Sequence, residues 1–83
     1  MNKETTKAFN NLAASCYSIY EDERAGMEWR MAHLILARDV AGLTAKHAEP
    51  GAAKSYAVDL ESRCSKALEK EMKASEVGPA IEL

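Results

Sequence analysis

Between Met27 and Leu43 the large apolar residues fall on two opposite sides of a helix, and this limits how the chain can fold. Turning about 100° per residue, Met27, Met31, Leu34, Ile35 and Ala41 form one stripe. Trp29, Ala32, Leu36, Val40 and Leu43 form a second, centred about 180° away. Two narrow polar edges separate them, Glu28, Asp39 and Lys46 on one side and Arg30, His33 and Thr44 on the other. A helix in a compact three-helix bundle meets its neighbours across one broad apolar arc. Opposed stripes therefore require a covering on both sides.

The rest of the chain carries the same 3.6-residue period, with no alternation of β-branched residues that would predict a strand. With Phe9 set at zero, Leu12, Ala13, Cys16, Tyr17, Ile19 and Tyr20 lie within about 80° of it, and Lys7, Asn10, Asn11 and Ser18 lie opposite. This predicts a helix over about 3–21, with Asn2 as N-cap and Glu4 in the first turn. The acidic cluster Glu21-Asp22-Glu23, then Arg24 and Gly26, admits two readings. One is a loop with Asp22 capping the next helix. The other is the solvated middle of one long helix, since Met27 resumes the stripe in phase 18 residues after Phe9. The cost of Gly26 inside a helix favours the break. The second helix then covers about 27–47. Glu49-Pro50-Gly51 reads as the corner of a helical hairpin. A third helix over about 52–75 places Ala53, Tyr56, Ala57, Leu60, Cys64, Ala67 and Leu68 on one thin face, with Asp59→Arg63 and Glu69→Lys73 at i,i+4 elsewhere. Gly78-Pro79 is expected to end regular structure and leave 76–83 as a tail whose Ile81 and Leu83 dock or fray. The expected fold is all-α and a single domain over 1–83: a small three-helix bundle, or a helical hairpin plus an N-terminal helix.

Length and charge narrow the function classes. A chain of 83 residues buries only about 60–65% of its unfolded surface, so self-association, most simply as a homodimer, is expected to supplement its core. Eleven Lys+Arg are interspersed with thirteen Asp+Glu, for a net charge of −2. Nucleic acid is a poor expectation for a surface without concentrated basic charge. The polar start Met1-Asn-Lys-Glu-Thr-Thr-Lys7 has no apolar signal core, and the run Met31–Ala37 is far short of the about 20 apolar residues that span a bilayer. No membrane is expected, and the expected address is cytoplasmic. Cys16 and Cys64 lie on apolar faces outside any Cys-x-x-Cys spacing and read as inert core thiols.

Neither catalysis, a cofactor nor a metal is expected. His33 and His47 would stand about 21 Å apart on one helix, with no Asp or Glu at i+3 or i+4 of either. No nucleophile has a base and an orienting group in a recognisable pattern, and no glycine-rich phosphate loop is present. Ala37-Arg-Asp-Val-Ala-Gly-Leu-Thr44 resembles the turn of a helix-turn-helix, which would make the chain a transcriptional regulator with a degenerate motif at 36–48. Gly42 falls five residues after Ala37 where that motif uses four, and Pro50 would cut the reading helix short. The favoured expectation is a small acidic protein-interaction module of the phage or plasmid accessory kind, which binds and inhibits or adapts a host protein complex. Its partner-binding residues would be Trp29, Arg30, His33, Leu36, Val40 and Leu43, a set with the Trp and Arg enriched at interface hot spots. Since no ligand set converges, EDTA should leave the melting temperature unchanged in a thermal melt; a lower one would return the two histidines to consideration.

Overall fold

The computed structural model describes the backbone of residues 1–82 and the side chains of residues 1–74. Three helices pack together, α1 (Lys3–Glu21), α2 (Met27–His47) and α3 (Ala52–Glu82), and no strand occurs among the described residues. The chain is an all-α three-helix bundle, elongated at 51 × 21 × 14 Å. α2 packs against both other helices along its length, whereas α1 and α3 touch over much less.

Local chemistry sets the boundaries. Asn2 Oδ1 accepts the Thr5 backbone N–H at 2.8 Å, so α1 opens on a side-chain cap. The break after Glu21 forms as expected, but Asp22 does not cap α2. It ends α1, donating its own N–H to the Ile19 carbonyl at 3.2 Å, and its carboxylate binds the Arg24 backbone N–H and guanidinium. α2 begins only at Met27, so the residue placed to cap it is Gly26 and not Asp22. Gly26 takes the N-cap position of α2 with no side chain to offer. At the second corner Gly51 has φ of 151°, a backbone that residues with a Cβ rarely adopt.

Residues 36–47 belong to one uninterrupted stretch of α2, so no turn forms at Gly42 and the helix-turn-helix reading of 36–48 is overturned. A single glycine costs a helix about 1 kcal/mol, too little to break one packed on both flanks. At Gly42 the Glu61 carboxylate of α3 comes so near that an added Cβ would lie 2.6 Å from Oε2. α3 also exceeds its expected length: it continues through Gly78 and Pro79 to Glu82, rather than ending at about 75 with 76–83 as a tail. Pro79 removes one helical hydrogen bond and crowds the preceding turn, but it lies near the helix end, after a run of strong helix formers at 66–74. The expected docking or fraying of Ile81 and Leu83 lies outside the described side chains.

The core is built mostly of small residues. Ala13, Cys16 and Tyr20 of α1 meet Leu34, Ala37 and Ala41 of α2 and Leu60 and Cys64 of α3. Leu34, Thr44 and Cys64 are its largest fully buried side chains. Two residues assigned to polar edges are instead buried. Thr44 is fully buried, its hydroxyl satisfied by donating to the Val40 carbonyl at 2.7 Å. Asn10 is 8% exposed, its amide donating to the Ala53 carbonyl at 3.1 Å. The Thr44 hydroxyl is thereby satisfied, whereas Asn10 is satisfied only at Nδ2, its buried Oδ1 having no partner among the described residues.

Burial pushes both thiols up, Cys64 to about 11. Thiolate is the reactive form, so both should resist iodoacetamide at pH 8 in the native protein and react at once in denaturant. A second consequence concerns stability. A folded-state pKa above the unfolded value means the native state holds its proton longer, so the thiols' contribution is intact below about 9 and declines as pH rises toward 11. Fast alkylation of native protein, read by mass spectrometry, would contradict this packing.

Candidate interaction surface

The helical register shows which side of each helix is covered. On α2, Arg38 and Gly42 face α3, where Arg38 shares a shallow cleft with Ser65 and Leu68. Arg30 faces α1: its Nε donates to the Tyr20 carbonyl at 2.7 Å, and its guanidinium carbon sits 5.2 Å from the centre of the Tyr20 ring. The buried face of α2, Leu34, Ala37, Ala41, Thr44 and Ala45, lies between these two directions. Both neighbours thus crowd onto one side of α2. The second apolar stripe expected to need a cover has none within the chain.

Trp29, Leu36 and Leu43 form that uncovered row, at 59%, 45% and 49% exposure. They recur every seven residues, so about 20° of drift per heptad keeps them in near alignment along the helix. His33 is half-buried and joins the row through Trp29. Their ring centres are 4.3 Å apart, and His33 Nδ1–H donates to the Trp29 carbonyl at 2.8 Å, the carbonyl being able only to accept. Val40 is half-buried and leans on the core. Arg30 is spent inside the fold, because the Tyr20 carbonyl in the last turn of α1 lacks a helical partner and a guanidinium supplies it. Its cation–π contact with Tyr20 ties it further to α1. Of the six residues named from the sequence, the fold gathers Trp29, His33, Leu36 and Leu43, sets Val40 at the margin and withdraws Arg30.

α1 contributes residues that periodicity alone assigned to its core face. Leu12 is 47% exposed, and Phe9 and Ile19 are half-buried. α1 meets α3 through Asn10, which bonds Ala53, and Tyr20, whose hydroxyl donates to Glu71 Oε1 at 3.2 Å. Leu12 and Ile19 project about 80–180° from those positions, off the side away from α3. Trp29, Leu36 and Leu43 also lie on the side of α2 away from Arg38 and Gly42. The antiparallel register joins the two sets: Met1 stands opposite His47 and Tyr20 opposite Arg30. Leu12 is then level with Leu36, and Ile19 with Trp29 and Arg30. The result is one apolar face running across the α1–α2 pair, flanked by Glu28 and by Asp39, which pairs with Arg38 at 3.0 Å. The wide apolar arc of α1, from Ile19 and Leu12 round to Tyr17, was the available sign that more than one neighbour was being served.

Other chemistry is sparse. No group of three or more His, Cys, Asp or Glu residues positioned to hold a metal occurs among the described residues. No described helix is long and apolar enough to cross a membrane. Burial, then the nearby Glu71 carboxylate, push the Tyr20 hydroxyl up, which suits its role as a hydrogen-bond donor to that group.

The two sides of α2 should respond differently to truncation. Leu34→Ala should cost about 2–5 kcal/mol of unfolding free energy, as for a buried leucine. Trp29→Ala should cost under about 1 kcal/mol, as for an exposed position. Urea denaturation measures both, and a reversed order would exchange the roles of the two sides. Comparison with protein-family models, with curated proteins and with solved structures finds no match.

Proposed function

We propose that the chain is a protein-interaction module whose docking surface is the exposed row Trp29, Leu36 and Leu43, extended by Leu12 on α1. The observation that carries this reading is the alignment of these exposed side chains on one face while the core is built mostly from alanine and cysteine, with Leu34, Leu60 and Tyr20 its larger residues. Contiguous apolar surface of this kind costs solubility and is retained where another polypeptide covers it. Trp29 is the anchor, rigid, large and held by the His33 ring. The same face serves self-association as a homodimer, the closed two-fold arrangement being the commonest for a small chain.

In this reading the protein has no chemistry of its own and works in the cytoplasm by occupying a surface of a larger assembly. It inhibits or adapts that assembly, as small accessory proteins of phages and plasmids do. The spread of charge supports a protein rather than a nucleic-acid partner, since Arg24 and Arg38 are each paired with an acid and Arg30 is turned inward. Binding should therefore change little between low and moderate salt, where phosphate-driven binding falls steeply.

Sedimentation equilibrium at tens of micromolar should give about twice the 9.1 kDa chain mass. Leu36→Ala and Trp29→Ala should return it to the monomer with the helical circular-dichroism spectrum retained, and with a melting temperature that no longer rises with protein concentration. A wild-type monomer at that concentration would remove self-association from this reading. A host-lysate partner captured equally by wild type and Trp29→Ala would remove the row as its docking surface.

A further inference from the structure

The exposed row on α2 is symmetric about its own centre. Leu36 stands midway between Trp29 and Leu43, seven residues from each, and Leu12 of α1 is level with it. The three α2 residues span about 40° of the helix surface, so they face one direction along about 21 Å. A two-fold axis perpendicular to α2 at Leu36 lays Trp29 of each copy on Leu43 of the other, and Leu36 on Leu36. Leu12 flanks that axis in both copies. A contact of this kind is self-complementary, as a closed dimer requires.

The charges beside the row carry the same symmetry with opposite signs. Glu28 and Lys46 are eighteen residues apart, five whole turns, so they occupy one edge of α2 about 80° from Leu36. Both are exposed, and neither has an ion-pair partner among the described residues. Their midpoint falls one residue from the centre of the row. Under the same axis Glu28 of one copy and Lys46 of the other lie on facing edges, about 3 Å apart along the helix direction. Helical side chains lean toward the N-terminus of their own helix, so in an antiparallel pair these two lean toward each other. Asp39, between them on that edge, is engaged by Arg38 of its own chain at 3.0 Å. The face that α1 and α2 present together is about 30 Å long and about 20 Å wide, or about 600 Å² per copy. Covering it in both copies buries about 1,200 Å², the lower limit for a specific interface.

We infer that the row is covered by a second copy of this chain, docked antiparallel about a two-fold axis through Leu36. Trp29 packs on Leu43 of the other copy, and Glu28 pairs with its Lys46 at each end of the contact. This rests on the reading of the row as a docking surface and adds its occupant, orientation and register.

Zero-length carbodiimide coupling of the wild-type chain at tens of micromolar tests the register. The reagent joins a carboxylate to an amine only where the two touch, and within one chain Glu28 and Lys46 are about 27 Å apart along α2. A Glu28–Lys46 amide, mapped by mass spectrometry in the dimer band, therefore forms between copies, and it is the expected product. Glu28→Lys and Lys46→Glu, both at exposed positions, should each weaken dimerisation about fivefold in sedimentation equilibrium with the helical spectrum retained. Mixing the two variants in equal amounts should restore the wild-type affinity, because the mixed dimer has opposite charges at both contacts. A wild-type dimer that gives no such amide, or charge variants that fail to complement each other, overturns the inference and leaves the row as a docking surface. A wild-type monomer also overturns it, and Trp29-dependent capture of another polypeptide then decides the row by itself.

Discussion

Along α2, Ala37, Ala41 and Ala45, with Ala48 at the C-cap, recur at spacings of three and four on the side that meets the other helices, and the packing of the whole chain follows from that seam. Short side chains let helix axes approach toward the lower end of the usual range of about 8–10 Å. Close approach brings backbone and Cβ atoms of α1 and α3 into dispersion contact with α2, which substitutes for bulk in the core. Leu34 belongs to that side, whereas Trp29, Leu36 and Leu43 stand outside because their positions on α2 turn them away from both neighbouring helices.

A seam of alanines specifies register weakly, because one alanine fits where another did. Polar contacts at the two ends supply the missing specificity. At one end Arg30 holds the Tyr20 carbonyl and ring, and the Tyr20 hydroxyl reaches Glu71, so a single tyrosine links all three helices. At the other end Met1 reaches the His47 carbonyl and Asn10 the Ala53 carbonyl. Each such bond is worth only about 0.5–1.5 kcal/mol. A slip by one helical turn would break several together and leave buried groups unpaired.

The face carrying Trp29, Leu36 and Leu43 is broad, apolar and set on the middle of two helices, which suits a macromolecular partner. Leu12 belongs to that face, whereas Asn10, two residues earlier and about 160° round the helix, is buried against α3.

The sequence by itself determined three helices, the limits of α1 and α2 and the break between them, because period, caps and a positive-φ glycine are local properties of the chain. It also separated the two apolar sides of α2, since residue spacing fixes angular position. Only the tertiary structure decided what each side does. Alanine is nearly neutral in a helical wheel, so the face rich in Ala37, Ala41 and Ala45 gives a weaker signal than the two stripes of large residues beside it, yet packing against α1 and α3 made it the core. Polar Thr44 and Asn10 looked like surface residues because their partners are backbone carbonyls, one of them forty-three residues away. Arg30 looked free for the same reason, since the Tyr20 carbonyl that claims it is an acceptor every residue carries. The position of α3 settled the rest: by packing on one side of the α1–α2 pair it buried Cys64 and Leu60 and left Leu12 and Trp29 in solvent. The choice between those two sides depends on contacts between residues far apart in the chain, which spacing within one helix does not encode.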